Sequence, residues 1–333
     1  MNFIKSNSWL IALMGLLLLF PLFSPSLSYI DNITEILIMA LFGVSLNLLL
    51  SYTGLLSLGH CAFFAIGSYT TGIFLRESSF SILLALFSGC VLSGIFALFM
   101  GYFCTRLTRF YFAFLTLAFS QIIYVIIIRW GRFTGGLQGL IGGIPKPPIV
   151  LFEWVIDVSQ RLNFYYFTVL LVCISFILCK VITDSPFGWV LRYIRENAFR
   201  AQFIGINVRK YQVIIFVIAG IFGAIAGGLS ALNINGSYPE HAHWLKGADP
   251  IFMILIGGMK NFAGPIVGAG VFIFLNTFIS SHTKFLPLFL GMILIFIVIF
   301  ARMGIVDFFV VKRDIWRKAL LGRKSKYRSG EKY

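Results

Sequence analysis

The residues able to do chemistry in this chain are few and scattered. His241 and His243 flank Ala242 beside Glu240, a spacing that can hold a metal ion, although three such residues in a loop are more often plain solvated polar groups. His60 and His282 stand alone. No GxxxxGK followed by Ser or Thr is present to cradle nucleotide phosphates, and neither GxSxG nor HExxH occurs. The cysteines Cys61, Cys90, Cys104, Cys173 and Cys179 lie in or beside apolar runs, without CxxC or zinc-type spacing, as small packing residues do. Few acidic residues touch an apolar run: Glu35 near the start of one and Asp249 at the edge of another. An enzyme buried in apolar surroundings needs a cluster of ionisable groups at depth. The chain offers none, so no catalytic residue and no metal site is expected, and it is read as a non-enzyme.

What remains is a set of polar side chains inside otherwise apolar stretches. Asn47, Ser57, His60, Ser68, Tyr69, Thr70, Thr116, Ser120, Gln121 and Asn276 belong to it. Polar groups at membrane depth face a bundle interior or a water-filled path. Small Ser and Thr also hydrogen-bond helices together, and for them that plainer role is favoured, whereas for the larger Asn47, His60 and Gln121 the two roles weigh equally. Asn47, Ser57, His60, Ser68 and Gln121 are the candidates for a translocation path. Ser57 is placed to cap the helix after it, with Gly59 and Gly67 as two points of close helix approach.

The elements that position these residues are membrane helices. Of 333 residues 59% are hydrophobic and 12% charged, about half the charged fraction of a soluble domain. Apolar runs fall near 9–23, 33–50, 57–75, 80–103, 110–128, 164–182, 211–233, 249–262, 263–281 and 285–301. The first is disfavoured as a cleaved leader by the proline that follows it. The fold class expected is all-α, a polytopic bundle of about ten spans (eight to ten), with a possible inverted repeat between 33–128 and 211–301. Residues 1–304 form the membrane domain and 305–333 a basic tail.

The formal net charge of +15 points to nucleic acid in a soluble protein but to the positive-inside rule here, so no nucleic-acid partner is expected. The basic clusters at Arg106 and Arg109, at 184–210, and from Arg302 onward belong on the cytoplasmic side. Parity then makes 249–262 a crossing, although it is short, and places both termini in the cytoplasm. The segments 129–163 and 234–248 fall outside. Within the first of these, Gly135, Gly136, Gln138 and Gly139 form a glycine-rich loop without a phosphate-binding lysine. It is read as a loop folded into the membrane mouth or touching an external partner, with a flexible connector as the alternative.

Residues 184–210 form a polar, basic island between apolar runs. Ser185-Pro186 opens a helix. Phe187, Leu191, Ile194, Ala198 and Ala201 recur at steps of four and three and draw one apolar stripe along it. Glu196 stands four residues before Arg200, a supportive pair, and Gly205 follows as a C-cap. Such a helix either lies on the lipid surface or docks a soluble partner.

The stretches YTGLLSLGHCAFFAIGSYTTG, TLAFSQII, FTGGLQGLIGGIP, SPFGWVLRYIRENAFRAQFIGINVRKYQVIIFVIAGIFGAIAGGL and ILIGGMKNFAGPIVGA, in that order, resemble the permease subunits of ABC importers for branched-chain amino acids, over about 31–304. The Ala301–Gly304 tail and the glycine loop are similar to the LIV-M-type permease. Gln138 stands where that family usually has an acidic residue, and Cys61 and Ser68 where it usually has small Ala or Ser.

The resemblance implies an inner-membrane transport subunit working by alternating access. Its implied partners are a homologous second permease (or a second copy of itself), two cytoplasmic ATPase subunits, an extracytoplasmic binding protein and the lipid bilayer. ATP and Mg would sit on the ATPases, with no cofactor on this chain. The family's ATPase-docking loop falls on Phe187, Gly188, Leu191, Arg195, Glu196, Ala198, Ala201 and Gly205. Related permeases handle urea, short amides and other amino acids. A secondary transporter would be expected to carry a midplane carboxylate, and a channel would work without ATP.

Overall fold

The computed structural model describes residues 8–23, 27–77, 81–107, 109–141, 143–151, 154–282, 286–300 and 304–313. Most of the basic tail, 314–333, lies outside them. The structure is a polytopic helical bundle, and each apolar run of the sequence contributes a helix. The chain divides into two units, Met1–Ile251 and Phe252–Tyr333.

In the first unit α1 is Ser8–Phe23, α2 Leu27–Thr53, α3 Cys61–Glu77, α4 Ile82–Cys104 and α5 Arg109–Arg129. A single turn α6, Gly131–Thr134, and a 3-10 turn Gly136–Gln138 lead to a short antiparallel hairpin of β1 (Ile149–Leu151) and β2 (Trp154–Ile156), in which Val150 faces Val155. There follow α7 (Arg161–Asp184), α8 (Pro186–Glu196), α9 (Ala198–Phe203) and α10 (Val208–Asn233). After a 3-10 turn at Pro239–Ala242, α11 (Trp244–Gly257) runs into the second unit, which holds α12 (Gly264–His282) and α13 (Leu286–Phe300).

Helices α2, α4, α5, α7, α10 and α12 are long and apolar enough to cross a membrane by themselves. The four others that coincide with apolar runs have 14 to 17 residues. At about 1.5 Å per residue they fall short of a hydrocarbon layer of about 30 Å.

Helix α10 is the hub of the first unit and packs against α2, α3 and α4. Its composition explains why. Association in lipid gains little from hydrophobicity and relies on close backbone contact between small residues. A Cβ on Gly67 of α3 would lie 2.1 Å from the carbonyl oxygen of Ala224, and one on Gly227 of α10 1.9 Å from that of Phe64. The pairs are three residues apart on both helices, so the two backbones cross in direct contact. A Cβ on Gly59 would meet the Thr116 carbonyl oxygen of α5 at 1.9 Å. Both close-approach points expected of Gly59 and Gly67 are therefore present.

In the second unit the glycines pack on one another. A Cβ on Gly257 would lie 1.7 Å from the Gly264 oxygen, and one on Gly268 1.8 Å from that of Met253. The buried Asp307 carboxylate accepts the Lys260 amide at 3.0 Å and closes that turn.

Candidate coupling loop and translocation path

The polar island between α7 and α10 is two helices, not the one its apolar stripe suggested. Ser185 ends α7 and begins α8, its hydroxyl accepting from the Gly188 amide, with Pro186 where a missing N–H costs nothing. Asn197 then adopts an extended backbone (φ −157°, ψ 100°), stopping α8 and capping α9 through its side-chain oxygen on the Arg200 amide. This break removes the expected helical pairing of Glu196 with Arg200; both are exposed, and no ion pair among the described residues joins them. Gly205 closes α9 as expected. Its φ is +85°, its amide donates to the Gln202 carbonyl, and the Ile206 amide reaches back to Ala201 at 3.1 Å.

The stripe is real despite the break. Leu191, Ile194 and Ala201 are buried, and Ile194, Ala201 and Val208 share one small core against which Ala198 and Tyr211 pack. Phe187 stacks on Tyr211 with ring centroids 5.4 Å apart. Gly188 is required where it stands, since a Cβ there would meet the Thr183 oxygen at 2.2 Å.

Two arginines tie the loop to the end of α2. Arg192 stacks over Tyr52 and Trp189 and donates to the Thr183 carbonyl. Arg195 donates to the Ser51 carbonyl. A cavity of about 820 Å³ lies between this loop, the Thr53–Leu55 stretch and the turn after α4.

The outward face was missed by reading the stripe alone. Trp189, Phe199, Phe203 and Ile204 are exposed, Phe199 at 76% and Phe203 at 89%. The available signal was aromatic residues placed off the apolar stripe of a polar segment.

The five path candidates do not converge on one site. Asn47 accepts from the Ser51 hydroxyl inside α2. His60 contacts Ser45 through Nε2 at 2.8 Å, and the Ser45 proton already goes to the Phe42 carbonyl. His60 must therefore donate from Nε2. Its Nδ1 is left buried and unpartnered, with Phe42 stacked on the ring and Phe63 at its edge. The Ser57 hydroxyl and the Gln121 amide nitrogen are likewise buried without partners. Ser57 does not cap α3, which begins four residues later at Cys61.

Ser68 belongs to a third group, which sequence reasoning did not assemble. Ser237 donates to the Ser68 carbonyl at 3.0 Å, so Ser68 must donate to the Ser237 hydroxyl at 2.8 Å. Ser68 in turn accepts from His241 Nδ1 at 3.0 Å. The expectation of a solvated His241 is thus corrected: it is buried against α3, its Nδ1 held by Ser68. His243 instead packs beside Tyr124 and Trp244, and no cluster of three metal-ligating residues occurs among the described residues. Asp249 is held by Lys246 at 2.9 Å.

The glycine loop joins this group. Gly135, Gly136 and Gly139 all have positive φ, and Gln138 is exposed in the 3-10 turn. The Leu140 amide donates to the Ser237 carbonyl at 2.8 Å, and a Cβ on Gly139 would lie 2.3 Å from the same oxygen. Beyond it, burial holds the Lys146 ammonium below its usual range, opposed by Asp31, with Arg161 adding to the lowering.

Comparison with known proteins agrees with this architecture. The family model for the permease component of branched-chain amino acid transport systems matches residues 28–303. The chain is 25% identical over 321 residues to the high-affinity branched-chain amino acid transport system permease protein LivM of Escherichia coli K12, covering 91% of this chain and 75% of that one. It is 27% identical over 208 residues to a probable branched-chain amino acid transport permease protein LivM of Methanocaldococcus jannaschii, covering 61% and 56%. Over 125 residues it is 28% identical to the guanosine ABC transporter permease protein NupQ of Bacillus subtilis, covering 38% and 39%. No solved structure matches.

Proposed function

This chain belongs to the family of permease components of branched-chain amino acid transport systems, and from that premise we propose that it is the membrane subunit of an ATP-driven importer of leucine, isoleucine and valine. The observation that carries the proposal is the loop of α8 and α9. It is anchored to the end of α2 by Arg195 yet turns Trp189, Phe199, Phe203 and Ile204 outward. A helix pair held on one side and apolar on the other suits docking to a soluble ATPase, with the exposed aromatics as anchors. ATP and Mg would belong to two such subunits in the cytoplasm. A homologous permease, or a second copy of this chain, would complete the pathway, and an extracytoplasmic binding protein would deliver cargo to the glycine loop.

Coupling follows from differential contact. Closure of the ATPases moves α8 and α9, and Arg195 carries that movement to the α2 end beside Asn47. The Lys246 partner of Asp249 speaks against that carboxylate serving an ion gradient. The test is uptake of radiolabelled leucine by cells with and without the gene, under ATP depletion and separately with a protonophore. Uptake lost on deletion and on ATP depletion, but spared by the protonophore, supports the reading. Uptake unchanged by deletion removes branched-chain amino acids as cargo and brings urea, short amides and other amino acids forward.

A further inference from the structure

We infer that the small apolar cavity between α3 and α5, under the turn α6, seats the aliphatic side chain of the cargo during passage; the inference rests on the importer reading above. The cavity measures about 340 Å³, at the small end of the roughly 300–1,000 Å³ common for ligand sites. Ile66, Ile123, Ile127, Trp130 and Phe133 supply most of its wall, and no charged side chain contributes. Tyr69 also lines it, and the Tyr69 hydroxyl is buried without a hydrogen-bond partner. An orphaned hydroxyl is costly unless a ligand satisfies it. Of the two other wall hydroxyls, those of Thr70 and Thr134, that of Thr134 is already engaged by the Ile127 and Trp130 carbonyls.

Chemistry and position select the occupant. A nucleoside or pentose would bury several hydroxyls, and among the described residues the wall offers the hydroxyls of Tyr69 and Thr70 to meet them. A branched hydrocarbon chain needs none, so the Tyr69 hydroxyl is free to donate to the cargo carboxylate while the ammonium remains at the open rim, where Ile126, Trp130 and Phe133 are exposed. The roof, α6, runs directly into Gly135–Gly139, the loop pinned to Ser237. The cavity therefore lies immediately beneath the loop assigned to meet the binding protein.

The test uses the complete complex in vesicles, this chain with its partner permease, ATPases and binding protein, and follows uptake of leucine and valine. Ile126→Trp narrows the cavity from its open side, where added bulk is tolerated by the fold. It should lower leucine uptake about tenfold, the scale of one methylene in an apolar pocket, with a smaller effect on valine. Tyr69→Phe removes only the orphaned hydroxyl. It should lower uptake of both about threefold while the melting temperature stays the same or rises, a pairing that a purely structural tyrosine would not give. An unchanged leucine-to-valine ratio in an assembled Ile126→Trp complex overturns the inference, as does unchanged uptake by Tyr69→Phe. Loss of co-purifying partner permease in Ile126→Trp overturns it too, since the cavity then receives a helix of that subunit. A wild-type complex that moves no leucine brings down the importer reading, and this inference with it.

Discussion

The guanidinium of Arg195 donates to the main-chain carbonyl of Ser51, and the Ser51 hydroxyl donates in turn to the Asn47 side chain. One arginine of the loop formed by α8 and α9 thereby reaches the last turns of a buried apolar helix. Arg195→Ala should leave the fold nearly intact, at a cost of about 1 kcal/mol for a partly exposed charged hydrogen bond. Uptake should fall several-fold while ATP hydrolysis by the assembled complex persists. Parallel loss of both activities would show that Arg195 serves assembly rather than coupling.

Phe199 and Phe203 touch little of their own chain, so polar replacements there should change stability by no more than about 0.5 kcal/mol. Phe203→Ser together with Phe199→Ser should abolish co-purification of the ATPase subunits from detergent. Retained ATPase would place the docking surface elsewhere.

Gly205 separates space from backbone conformation. No atom lies within 4 Å of a Cβ placed there, yet its φ is +85°. Gly205→Asn should be nearly silent, whereas Gly205→Val should lower stability by about 1–2 kcal/mol, the penalty of a left-handed backbone, and reduce uptake. Equal behaviour of the two variants in thermal melts would refute the backbone explanation.

Gly227 is the opposite case, with the Phe64 carbonyl 1.9 Å from any added Cβ. Gly227→Val should separate α3 from α10 at a cost of about 3 kcal/mol, the upper range for overpacking. Detergent-solubilised protein should then melt earlier and elute partly aggregated. An unaltered melting curve would mean the two helices do not cross in contact.

Removing the Ser237 hydroxyl tests the link between the glycine loop and α3. In Ser237→Ala, Ser68 loses its proton acceptor and its carbonyl loses a donor. The expected destabilisation is about 1–3 kcal/mol, with uptake falling more than in Ser88→Ala, whose hydroxyl bonds only to its own helix.

Local signals were legible in the residues themselves. The apolar runs became helices because a chain in lipid must satisfy its backbone internally. Leu191, Ile194 and Ala201 were found from spacing alone because one helix face is set by residues three and four apart. Ser185, Pro186 and Gly205 marked helix ends because capping involves only neighbouring atoms.

Tertiary structure decided what local spacing does not encode. Ser57 and Ser185 look alike as caps, yet only Ser185 meets a free helix amide, since α3 starts beyond the reach of Ser57. The stripe through 187–201 continues across Asn197 although the helix does not, because Ala201 meets the same small core after the backbone has turned. His241 is buried rather than solvated because its partner, Ser68, lies 173 positions away on α3. Composition determined the class of protein and the rhythm of its helices; which polar groups meet across the bundle was settled only when α10 brought distant segments onto α3.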